Sequence, residues 1–75
     1  MSEVDRQERL GEAAYAAMYD ATLSYMVKLH YENACGQFRR GIAAAHCAGA
    51  LDDAERLEKR LAEIREVYNH QFRGV

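Results

Sequence analysis

Residues 13–29 are apolar almost all the way round a helix, interrupted by Asp20, Ser24 and Lys28. A helix with two apolar sides needs more partners than 75 residues readily supply, because a short chain buries a smaller fraction of its surface than a large one. The expected answers to a thin stability margin are disulfides, a bound metal or self-association. Two cysteines are too few for a disulfide scaffold, and no Cys/His cluster has zinc spacing, so self-association is the expected support.

The absence of proline and the abundance of Ala, Glu, Leu, Arg and Met predict helix nearly everywhere, with no alternating pattern that would support a strand. Ser2 and Asp5 form a capping-box pattern that starts the first helix. The strongest interior break is Cys47-Ala48-Gly49-Ala50-Leu51-Asp52, where Gly49 suits a helix C-cap and Asp52 with Glu55 makes a second capping box.

Within the first 48 residues, angular spacing of about 100° per residue sets two apolar stripes against each other. Tyr15, Met18, Thr22, Tyr25, Met26 and Leu29 cluster on one side, and Tyr31, Ala34, Cys35, Phe38, Ile42 and Ala45 lie roughly 190° away. One straight helix cannot present both to a single core. A bend between His30 and Gly36, with Asn33 and Gly36 as its tolerant residues, predicts an all-α three-helix bundle in one domain over residues 1–75. The alternative is a long-helix hairpin, its first helix nearly 70 Å long at about 1.5 Å per residue, which completes its core by dimerising.

In the last helix, Ala54, Leu57, Leu61, Ile64 and Tyr68 form a narrow seam, leaving Glu55, Arg56, Glu58, Lys59, Arg60, Glu63 and Arg65 as a solvated face. Residues 43–57 resemble the inter-helix turn of a tetratricopeptide-type hairpin, over about a fifth of the chain. The resemblance implies a helical hairpin and brings no functional residue with it.

The formal charge is −2, with five acids against two bases in residues 1–20 and three bases against one acid in residues 21–50. Charges at this density are screened within about 10 Å at ordinary salt and single out neither nucleic acid nor an acidic membrane. Asp20 and Lys28 would each be costly inside a bilayer, so a membrane partner is not expected. The start, Met1-Ser2-Glu3-Val4-Asp5, is acidic where a secretory signal would be basic, and a cytoplasmic location is expected.

Chemistry-bearing residues are sparse. His30, His46 and His70 are scattered, and Glu66 with His70 is better read as a helix-stabilising pair than as half of a metal site. Asp52 and Asp53 suit the positive end of a helix, and Cys35 and Cys47, about 18 Å apart along a helix, cannot bridge each other and are expected as buried thiols. No catalytic arrangement, phosphate loop, metal or cofactor is expected. The chain reads as a non-catalytic module that binds an unidentified protein partner, as adaptor or inhibitor, and acts as a homo-oligomer. Its expected interface is Tyr15, Met18, Tyr19, Thr22, Tyr25, Met26 and Leu29. A dimeric nucleic-acid-binding regulator using Arg39 and Arg40 is the alternative.

Overall fold

The computed structural model describes residues 2–72, which form three α-helices and no strand. They are α1 (Glu3–Asp20), α2 (Ser24–Cys47) and α3 (Leu51–Val67), the last running directly into a π-helical turn (Tyr68–Phe72). The predicted all-α three-helix bundle is the observed one.

Local chemistry sets the ends of the helices. The Asp5 N–H donates to Ser2 Oγ at 3.1 Å, and Glu3 and Asp5 place negative charge in the first turn, where the helix dipole favours it. At the end of α2, the Gly49 N–H reaches the His46 carbonyl (3.1 Å) and the Ala50 N–H reaches the Ala45 carbonyl (2.8 Å). Gly49 has φ +71°, so this is a Schellman ending that uses the predicted glycine. The second capping box does not form. Leu51 is already helical, Ala50 is the N-cap without a side-chain bond, and Asp52 and Asp53 sit inside the first turn of α3.

The expected bend between His30 and Gly36 is absent, and α2 runs unbroken through Asn33 and Gly36. The long alternative, one helix through residue 48, is excluded as well. The chain turns earlier, at residues 21–23, where Ala21 (ψ 134°) and Leu23 (ψ 136°) are both extended. Long-range fit explains that choice. A Cβ on Gly11 would lie 2.6 Å from Phe38 Cε2, and one on Gly41 would lie 3.3 Å from Gln7 Cβ, so both glycines admit close approach of α1 and α2. Both pairings are centred near residue 24, which requires the turn to be there.

Val4, Cys35, Phe38, Ala45, Ala54, Leu57, Leu61 and Ile64 make one buried cluster. The α3 seam is therefore as expected, except that Tyr68 falls in the π-helical turn, half-buried, with its ring stacked on Tyr31 at 3.8 Å and 9°. Cys35 is buried and Cys47 is exposed, which corrects the expectation that both thiols are buried.

The central helix is α2: α1 and α3 both pack on it, and they meet each other chiefly through long side chains. The result is flattened, 40 × 21 × 12 Å. Its radius of gyration of 12.6 Å exceeds the about 11 Å of a compact domain of this length. One arc of α2 is left without a neighbour.

Candidate protein interface

The residues expected to form one interface are divided by the fold into three groups. Met18 is fully buried inside the chain and presents nothing to a partner. Tyr15 and Tyr19 turn toward the C-terminal end, their rings edge-to-face at 5.4 Å, and Tyr19 meets Phe72 in the same way at 5.2 Å. With Tyr68 stacked on Tyr31, these rings tie the π-helical turn to the α1/α2 hairpin. Tyr19 keeps an exposed edge there, while Thr22, Tyr25 and Leu29 are exposed and Met26 half-buried in the turn or the first part of α2.

Around that corner the surface is apolar. Tyr25 is 68% exposed, Leu23 52% and Leu29 46%, while Met26 is half-buried. A shallow depression of about 340 Å³ between the end of α1 and the start of α2 is lined by Ala17, Ala21, Leu23 and Met26 together with the polar Asp20, Thr22 and His30. Leu23, Tyr25 and Leu29 are thus large apolar side chains left exposed close to one another in the chain.

From this corner a mixed apolar and polar strip runs on along the free arc of α2. Met26, Leu29, Asn33, Gly36, Arg40, Ala43 and Cys47 follow one another at alternating steps of three and four. At 100° per residue they fall in a strip about 100° wide, opposite the side that carries Ala34, Phe38, Gly41 and Ala45 into the core. That alternation of three and four keeps the residues on one side of the helix, and it is visible only when α2 is continuous through Asn33 and Gly36. A Cβ on Gly36 would meet nothing within 4 Å.

The opposite edge is electrostatic. Arg60 grips Glu12 with two bonds, Nε to Oε2 at 2.8 Å and Nη2 to Oε1 at 2.9 Å, and Arg56 pairs with Glu8 and with Asp53. These bonds raise both guanidinium pKa values further above their ordinary range. Arg56 and Arg60 therefore do not belong wholly to a solvated face: they bolt α3 to α1. The Arg60 guanidinium also lies 5.1 Å from the centre of the Tyr15 ring. Burial, then the hydrogen bond with Tyr19, pushes the Tyr15 hydroxyl up to about 12. Burial and a bond with Cys35 raise Tyr31 in the same direction.

Other chemistry is thin. Glu66 and His70 form the expected pair at 3.0 Å, and His46 lies 3.7 Å from Glu58. Among the described residues no group of three or more His, Cys, Asp or Glu is placed to hold a metal ion, and no helix is long and apolar enough to cross a membrane. A depression of about 1010 Å³ is lined by Asp5, Arg6, Glu8, Arg9, Leu10, Glu12 and Ala13 of α1 alone, so no groups converge on it from different elements. Arg39 and Arg40 are exposed neighbours on α2.

No protein-family model matches this chain, and no curated protein or solved structure matches it significantly.

Proposed function

We propose that this protein is a non-catalytic protein-interaction module that acts as a homo-oligomer, in the manner of an adaptor or an inhibitor of a larger protein. The observation that carries the reading is the unpartnered apolar corner of Leu23, Tyr25, Met26 and Leu29, continuous with the free arc of α2. Tyr and Met are enriched where protein surfaces meet, and both stand in this corner.

Mass in solution by light scattering, over a concentration series in reducing buffer, tests the oligomer. The expected result is a species larger than the 8.5 kDa chain, reduced by Tyr25→Ser/Leu29→Ser and unchanged by Glu55→Lys on the outer side of α3. A strict monomer at every concentration overturns this part of the reading.

A second reading rests on Arg39 and Arg40, which are exposed and make no ion pair among the described residues. Dimerisation would double them into a basic patch for nucleic acid. Binding of this kind falls steeply with salt and is lost in Arg39→Ala/Arg40→Ala.

A further inference from the structure

We propose that the free arc of α2 is the contact with a second copy of this chain, the two α2 helices crossing antiparallel at Gly36. This rests on the homo-oligomer reading above and names its partner, its site and its geometry.

Of the glycines inside the helices, two are accounted for within the chain. A side chain at Gly11 would strike Phe38, and one at Gly41 would come within 3.0 Å of Leu57 Cδ1. Gly36, in the middle of the longest helix, has no such reason, since the space above it is open. A mid-helix glycine costs about 1 kcal/mol relative to alanine. What it provides is close approach of another backbone at that point, and none of the described residues makes that approach.

The charges on either side of Gly36 identify which backbone. Glu32 stands four residues before it and Arg40 four residues after, so the three lie along one ridge of the helix. Glu32 is the only acid in α2, and neither it nor Arg40 makes an ion pair among the described residues. A two-fold axis through Gly36 sets Glu32 of each copy against Arg40 of the other, twice over, and places Leu29 opposite the small Ala43. A parallel pairing would instead set Glu32 against Glu32 and Arg40 against Arg40, an arrangement that like-charge repulsion disfavours. The seam from Met26 to Cys47 gives about 32 Å of helix for the contact, and Met26, Leu29 and Tyr25 supply its apolar ends.

Sedimentation equilibrium of the full chain in reducing buffer tests the arrangement through four variants, with circular dichroism to confirm that each keeps its helix content. Gly36→Ala favours the helix but blocks the crossing, so it is expected to weaken dimerisation about tenfold or more while leaving the monomer folded. Glu32→Arg and Arg40→Glu should each weaken it by about tenfold, and the double variant, which restores opposite charges across the axis, should recover most of the affinity. A dimer indifferent to all four variants would overturn the proposed crossing while leaving the oligomer reading in place. A chain that stays monomeric throughout overturns both.

Discussion

Single residues show how closely the helices are fitted. Gly11→Ala drives a methyl into the fully buried Phe38 ring, and about 2 kcal/mol of destabilisation is expected, a fall in Tm of about 10 °C by thermal unfolding. Gly36→Ala, measured at concentrations low enough to keep the chain monomeric, should instead gain up to about 1 kcal/mol. Met18→Glu, which would serve to split an oligomer if Met18 were on an interface, should unfold the monomer instead because it buries a carboxylate, and loss of helix by circular dichroism at any concentration checks this. Tyr15 supplies a pH dependence. Its folded-state pKa of about 12 lies above the ordinary tyrosine value of 10.0, so the folded chain holds this proton more tightly. The associated stability is complete below pH 10 and is lost as pH rises through about 12. Denaturant unfolding at stepped alkaline pH should show the loss, and Tyr15→Phe should make it smaller, with Tyr31 left to contribute in the same sense.

Among the elements, α3 was the most legible from sequence. Its buried residues Ala54, Leu57, Leu61 and Ile64 recur at helical spacing, and that period alone reveals the seam. The turn between α1 and α2 was not legible, because residues 21–23 contain neither glycine nor proline, and Leu23 caps α2 without a side-chain bond. Its position follows from Gly11 meeting Phe38 and Gly41 meeting Gln7, contacts that no local window contains. A turn near Asn33 would have set Gly11 opposite Glu55. The candidate interface suffered from the same error: Met18 went to the core, Tyr15 and Tyr19 to the aromatic cluster, and the outer seam of α2 emerged only once that helix was seen to be continuous. The bolts between α1 and α3 were likewise hidden, since Arg60 and Glu12 are 48 residues apart. Arg60→Ala should cost about 1 kcal/mol, part of it from the Tyr15 ring, with the ionic part shrinking as salt is added. A double-mutant cycle with Glu12→Ala measures the coupling.

For the molecule as a whole, the flattened shape means that neither broad side encloses the core by itself. Half of the buried cluster, Ala54, Leu57, Leu61 and Ile64, belongs to α3. A fragment ending at residue 50 should therefore lack fixed packing, shown by collapsed amide dispersion in its NMR spectrum, even though it contains both α1 and α2. Two connectors join the three helices. Each is three residues long, and consecutive helices are the ones that pack most closely, so loop closure costs little and folding belongs to the fast range of helical bundles. Synthesis is slower than that. At about 5–20 residues per second, one to a few seconds separate the addition of Cys47 from that of Ile64. Through that interval the nascent hairpin bares the face of α2 around Gly41 that Leu57 of α3 will cover, and until it does a neighbouring chain's α3 fits there as well as its own.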